Sequence, residues 1–356
     1  MKSKKEYIEN MQNPFSITFG IEPLNFINRQ KEVDIVLDSF SGDYPSNSTY
    51  LLLGARGSGK TVLMSYICSH YEKDDNWIVI DVGAKYQLLE KICSLLYEKG
   101  KIKHFFLNTE VNFSFHGITF SLKGKNPVTT PLALLTKMLD ILRKKHKKVL
   151  IAIDEVDNSD ELKYFISDYQ QLLRSKYSVY LLMTGLYENV SKLQNDAAIP
   201  FLYRSPKIIL SPLSLRDIAY SYQNILGVTL DEGIKLAKFT KGYAYAYQVL
   251  GNILYSKEKK DLNDEVISEF DKVMAENAYE KIYSELSETE QKIVLSIDTS
   301  GEVTTKSLRE KLSMNIKTFS VYRDILIKKG VLTAPHYGIV SFALPRFKEF
   351  LDFMKI

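Results

Sequence analysis

Runs and periods of apolar positions divide the chain into an alternating part and a mainly helical part. Up to about residue 214, short continuous apolar runs alternate with helical patterns. The runs are Tyr50-Leu51-Leu52-Leu53, Trp77-Ile78-Val79-Ile80-Asp81-Val82, Val149-Leu150-Ile151-Ala152-Ile153, Ser178-Val179-Tyr180-Leu181-Leu182-Met183 and Lys207-Ile208-Ile209-Leu210. Runs of this length are expected of parallel strands covered on both faces. Between them lie helical patterns over Gln30 to Phe40, from the end of the glycine stretch to about Tyr71, Tyr86 to Tyr97, Pro131 to Leu142 and Leu162 to Ser175. Strict alternation occurs in Val111-Asn112-Phe113-Ser114-Phe115 and Ile118-Thr119-Phe120-Ser121-Leu122 around His116-Gly117, which predicts a β-hairpin inserted at about 102–124. From Leu215 to Lys257 the pattern is helical with short connections, and residues 265–284 read as an amphipathic connecting helix.

The last seventy residues change pattern again. Ser287 with Glu290 forms a capping box at a helix start. A second helix runs from Thr304 to Leu312, a turn follows at Ser313-Met314-Asn315, and a third helix runs from Ile316 to Lys329 with Phe319, Tyr322, Ile325 and Leu326 inward. Gly330 ends it, and Val331-Leu332-Thr333 pairs with Ile339-Val340-Ser341-Phe342 around Pro335 to Gly338.

Composition adds little to this picture. With 45% hydrophobic and 12% aromatic residues, 356 residues suffice for two or three globular domains, and a net charge of +4 decides nothing by itself. The opening residues lack the apolar core of a signal peptide, and no stretch approaches the length of a membrane span, so a cytoplasmic protein without membrane contact is expected. Cys68 and Cys93 lie on helical patterns without Cys or His company and read as buried free thiols. His104 and His116 lack carboxylate or cysteine neighbours, so a metal site there is not expected. The basic run Arg143 to Lys148 sits at a helix C-terminus, where cations are favoured, and reads as a solvated end, with contact to a nucleic-acid backbone as the alternative.

Chemistry concentrates in two places. Gly54-Ala55-Arg56-Gly57-Ser58-Gly59-Lys60-Thr61 lies between a strand and a helix and fits G-x-x-x-x-G-K-[ST]. Small residues let successive N–H groups wrap a phosphate at a helix N-terminus, Lys60 reaches the β- and γ-phosphates, and Thr61 holds Mg²⁺. Downstream, Asp154-Glu155 ends a buried strand, where ligands of open α/β sheets bind. Adjacent strand residues face opposite ways, so these two carboxylates divide the work of metal support and water activation only if the strand ends between them.

Together the Pro23-Leu24-Asn25-Phe26-Ile27-Asn28-Arg29 segment ahead of the loop, the loop itself, the paired carboxylates, Thr184 at a strand end and Arg204 before the last strand resemble the AAA+ ATPases, particularly the initiator (origin-recognition) type and the STAND-like prokaryotic ATPases. The resemblance implies an α/β, three-layer parallel-sheet P-loop core over residues 22–214 behind an N-terminal arm (1–21), a helical lid with its connecting helix (215–284), and a winged helix-turn-helix (285–356). It implies ATP or ADP bound by Ala55, Arg56, Gly57, Ser58, Gly59, Lys60, Thr61 and Val62, with Ile27 and Arg29 flanking the base. Thr61 and Asp154 would support Mg²⁺, Glu155 would orient and deprotonate the attacking water, and Thr184 would sense the γ-phosphate. Arg204 stands where the family has an arginine finger acting on a neighbouring subunit; a structural ion pair is the alternative. At the lid helix, where many members carry a phosphate-sensing arginine, Gly242-Tyr243-Ala244-Tyr245 offers none. That departure implies slow turnover or a nucleotide-held switch.

For the winged helix the resemblance implies double-stranded DNA, contacted by Lys306, Lys317, Thr318, Ser320 and Arg323. Between residues 304 and 348, nine basic residues oppose Glu310 and Asp324, a net of +7. Winged helices also dock proteins. The expectation is an ATP-hydrolysing protein whose nucleotide state positions the winged helix on DNA. The alternatives are a nucleotide-controlled protein scaffold and a switch that oligomerises without DNA.

Overall fold

The computed structural model describes residues 13–18, 23–42, 45–84, 87–99, 110–115, 118–123, 130–196 and 199–354. Most of the expected arm, His104 and the His116-Gly117 turn fall outside these residues. Contacts within the chain define two units. One comprises Met1–Asn28, Gly54–Val62 and Leu210–Ile356; the other comprises Arg29–Leu53 and Leu63–Ile209.

The second unit is built on a five-stranded sheet of β1 (Thr49–Leu53), β2 (Trp77–Gly83), β5 (Lys148–Val156), β6 (Val179–Gly185) and β7 (Lys207–Ile209), in the order β2-β5-β6-β1-β7. Each neighbouring pair is parallel. Every residue of β1 and β6 is buried, as the continuous apolar runs require. On one face Leu51, Ile80, Ile151, Leu181 and Met183 share a core with α3 (Leu88–Glu98), α4 (Pro131–Lys144) and α5 (Asp160–Arg174). On the other face α1 (Gln30–Ser41) and α2 (Lys60–Glu72) supply Phe40 and Tyr71 to an aromatic cluster with Tyr50, Trp77 and Tyr180. Its centroid spacings run from 4.1 Å for Tyr71–Trp77 to 6.3 Å for Phe40–Tyr71. The result is the expected three-layer α/β core. Both cysteines are free and buried on helices. Between α3 and α4 the hairpin strands β3 (Glu110–Phe115) and β4 (Ile118–Lys123) pair antiparallel, with Phe115 opposite Ile118.

Two helices complete this unit, α6 (Tyr187–Gln194) and α7 (Pro200–Tyr203). Neither has a clear sequence pattern: α6 buries only Val190, Leu193 and Gln194, about one residue per turn.

The first unit is mainly helical. Its elements are α8 (Leu215–Leu226), α9 (Leu230–Thr240), α10 (Ala244–Ser256), α11 (Asp264–Met274), a π-helical turn over Ala275–Tyr279, and α12 (Glu280–Ser284). The single connecting helix expected over 265–284 is therefore interrupted. Its inward residues Val266, Phe270, Met274 and Ala278 recur every four positions. In an α-helix each such step drifts by about 40°, and the wider π turn takes up the drift, keeping Ala278 and Tyr279 in the core.

Beyond it lie α13 (Glu288–Leu295), β8 (Val303–Thr304), α14 (Thr305–Lys311), α15 (Ile316–Lys328), β9 (Leu332–Thr333), β10 (Ile339–Phe342) and α16 (Phe347–Phe353). Ser287 and Glu290 form the expected capping box. β10 pairs antiparallel with both β8 and β9. The N-terminal segment packs here as well. Phe15 is 1% exposed against Tyr222 and Tyr247, Asn252 Nδ2 donates to the Phe15 carbonyl, and Gln248 Nε2 donates to the Asn25 carbonyl.

Candidate nucleotide site

The glycine-rich loop follows β1 and opens α2. The Ser58 N–H donates to the Ala55 carbonyl at 3.2 Å, closing a tight turn with Gly57 at φ 71°. Side-chain-bearing residues avoid that conformation, and a Cβ on Gly57 would also lie 2.3 Å from the Tyr243 hydroxyl oxygen. Lys60 folds back over the loop, its Nζ 3.1 Å from the Gly54 carbonyl and 2.8 Å from that of Ala55.

The loop carries further contacts within its own unit. The Tyr243 hydroxyl donates to the Arg56 carbonyl at 2.7 Å, and the Tyr245 N–H donates to the Gly57 carbonyl at 3.1 Å. The Arg56 guanidinium pairs with Glu285 at 2.8 Å. Gly330 lies so close that a Cβ on it would come within 2.5 Å of the Ala55 Cβ. None of these contacts was legible in the sequence, because they join positions hundreds of residues apart.

At the carboxyl end of β5 the sheet breaks its register. Ile153 pairs with Met183 and Val156 with Gly185, so three steps on β5 oppose two on β6. Glu155 takes up the extra residue at φ 53°, a bulge in the left-handed region. The strand continues to Val156 instead of ending between the carboxylates; the bulge is what separates them. Asp154 is half-buried and Glu155 exposed. The Thr184 hydroxyl, fully buried, donates to Asp154 Oδ1, and the Glu155 N–H lies 3.1 Å from the Thr184 oxygen and 3.0 Å from Asp154 Oδ1. Asp81 on β2 joins this edge: partial burial, and then the Asp154 carboxylate, hold its carboxyl above the usual range. Its trace in the sequence is one acid within an apolar strand run.

Of the remaining expected residues, Thr61 and Val62 are half-buried in the first turn of α2. Ile27 packs on the core of the helical unit. Arg29 belongs to the sheet unit, lies 3.9 Å from Glu32 and is 9% exposed; burial pushes its pKa down. Arg204 is exposed and makes no ion pair among the described residues, so the structural-pair alternative finds no partner there.

Among the residues expected to meet DNA, Lys317 and Thr318 are exposed and Ser320 half-buried on α15. Arg323 binds Asp324 at 2.8 Å, and Lys306 lies 4.0 Å from Glu310. The local charge is also smaller than the count of +7 implies. Lys311 pairs with Asp298, Lys329 with Glu290, Arg346 with Asp271 and Glu349, and Lys348 with Asp352. Most of these acids lie just outside the segment counted.

The sheet order and these two sites identify the core as a P-loop AAA+ α/β fold. The family model of the TraG P-loop domain matches residues 25–204, half of the chain. The chain belongs to the TraG P-loop family. The TraG P-loop match takes in both the glycine loop and the Asp154 edge, and a domain of unknown function, DUF8462, matches residues 276–351. No curated protein matches the chain. Among solved structures, the Walker-type ATPase of Pyrococcus abyssi has a TM-score of 0.64 at 16% identity, over 91% of this chain and 95% of that one. The Aeropyrum pernix ORC2 protein, in ADPNP–ADP complexes, has a TM-score of 0.60 at 15% identity, over 95% and 96%. Cdc6p of Pyrobaculum aerophilum has a TM-score of 0.50 at 16% identity, over 95% and 96%. At such identities the likeness concerns the fold. Among the described residues no helix is long and apolar enough to cross a membrane.

Proposed function

We propose that this chain binds ATP on the 54–61 loop and hydrolyses it slowly, and that nucleotide state controls its C-terminal module. The observation that carries the reading is the β5 bulge, which sends Asp154 toward the Thr184 hydroxyl and turns Glu155 out to solvent. Glu155 accepts the proton of the attacking water as the water oxygen bonds to the γ-phosphorus. The bond to the bridging oxygen breaks in line, and ADP leaves with the electron pair. Lys60 moves from the loop carbonyls to the β- and γ-phosphates, Thr184 orients Glu155 and the water, and Ile27 and Arg29 flank the base. Thr61 and Asp154 are hard oxygen donors suited to Mg²⁺, which when bound neutralises phosphate charge. The nucleotide complexes of the ORC2 protein support ATP and ADP as ligands.

Equilibrium titration with ATP tests this. Lys60→Ala should abolish binding, whereas Glu155→Gln should bind within a few-fold of wild type and turn over at least about 100-fold more slowly. Unchanged ATP affinity in Lys60→Ala sinks the assignment.

For the module we propose a winged helix over 285–356 that contacts DNA through Lys317, Thr318 and Ser320 of α15, with Lys306 and Arg323 at the margin. A second reading, protein docking, is favoured by exposed apolar residues on the same module: Ile316 at 65%, Val321 at 58% and Tyr337 fully exposed. Cytoplasmic location and ATP-dependent assembly through Arg204 complete the proposal.

A further inference from the structure

The start of α10 carries no arginine, yet it is bonded to the phosphate loop at two consecutive carbonyls. The Tyr243 hydroxyl holds the Arg56 oxygen at 2.7 Å, and the Tyr245 N–H holds the Gly57 oxygen at 3.1 Å. Tyr243 is 7% exposed, and the hydroxyl oxygen lies 2.3 Å from where a Gly57 Cβ would sit, so hydroxyl and glycine fit each other.

A trans peptide is planar, with its carbonyl and the following N–H pointing in opposite directions. A carbonyl fixed toward the lid therefore aims the next N–H away from the lid. Holding the Arg56 oxygen orients the Gly57 N–H; the Ser58 N–H, on the far side of the peptide that Tyr245 holds, closes the turn on the Ala55 carbonyl. We propose that Tyr243 is a positioning residue for phosphate binding, setting the direction in which the Gly57 N–H meets the β-phosphate. The role rests on the loop being the phosphate site proposed above. Tyr243 does not touch the nucleotide; it acts through the Arg56–Gly57 peptide. Burial also pushes the Tyr243 phenol well up, so the group remains a donor across the working pH range.

The test is Tyr243→Phe, which keeps the ring and deletes the hydroxyl, titrated with fluorescently labelled ATP, ADP and AMP beside wild type and Lys60→Ala. Leaving the Arg56 carbonyl unsatisfied should weaken ATP and ADP binding about tenfold. AMP, which has no β-phosphate for the loop, should bind within twofold of wild type. Unchanged affinity for all three nucleotides, or an equal loss for all three, overturns the role; the latter is what general destabilisation would give. Wild type that fails to bind ATP, or Lys60→Ala that binds it normally, overturns the phosphate-loop reading and this role together. Should Tyr243→Phe fold poorly, wild type carrying glycine-labelled amides is titrated with ADP and AMP. The Gly57 amide resonance should move with ADP and stay in place with AMP; a Gly57 amide unmoved by ADP overturns the proposal.

Discussion

Glu155 holds a left-handed backbone that costs a residue with a side chain about 1 kcal/mol or more. Glycine there would relieve the strain while adding freedom to the unfolded chain, so the two effects largely cancel. Glu155→Gly should melt within about 1 kcal/mol of wild type, whereas β-branched Glu155→Val should lose about 2 kcal/mol. Thermal denaturation of both variants distinguishes a strained bulge from an ordinary strand end, for which the order would reverse. The cysteines give a second residue-scale expectation. Burial pushes the Cys68 thiol up to about 12, with the Asp81 and Glu72 carboxylates adding to the effect. An unfolded thiol ionises near about 8.5, so the folded state keeps a proton that the unfolded chain loses. This contribution to stability is complete below about pH 8 and disappears as pH rises through the folded value. At pH 8 neither cysteine should react with an aromatic disulfide reagent until denaturant is added; rapid stoichiometric reaction of the native protein contradicts this.

At the scale of elements, the sequence was most legible where burial on both faces leaves a continuous apolar run. β1 and β2 lie within a residue of their expected bounds, while β5 and β6 start within a residue and run two or three residues further, to Val156 and Gly185. It was least legible where geometry depends on a partner. The bulge at Glu155 is a mismatch of register with β6, and the π turn answers a drift of the inward stripe that only the packed core makes costly. α16 was legible, with Phe347, Phe350 and Leu351 at helical spacing, and was left unread; the acids that neutralise the C-terminal lysines lie outside the segment whose charge was counted. The π turn carries its own expectation. It brings Tyr279 into full burial, with its hydroxyl on the Pro345 carbonyl. Tyr279→Phe leaves that oxygen unsatisfied and should lower stability by about 1–3 kcal/mol in urea, without changing ATP affinity.

For the whole molecule, charge pairing sets how any duplex would be bound. If nine basic residues met phosphates, the logarithm of the binding constant would fall with that of salt at a slope of about −8. With six of the nine already bonded to acids, a much shallower slope is expected. A titration between 50 and 200 mM salt decides it, and no binding at the lowest salt leaves protein docking as the module's role. Assembly has a separate measure: the mass of the particle with ATP and with ADP, where Arg204→Ala should slow hydrolysis in assembled material and leave the monomer's rate unchanged. The chain enters the glycine loop from one unit and re-enters that unit nine residues later, yet the loop's own contacts belong to the other. Proteins open in cooperative blocks. The amides of Gly57 to Gly59 should therefore exchange with solvent deuterium in step with α10, not with β1, and a ligand that slows exchange in the loop should slow it in α10 to the same extent.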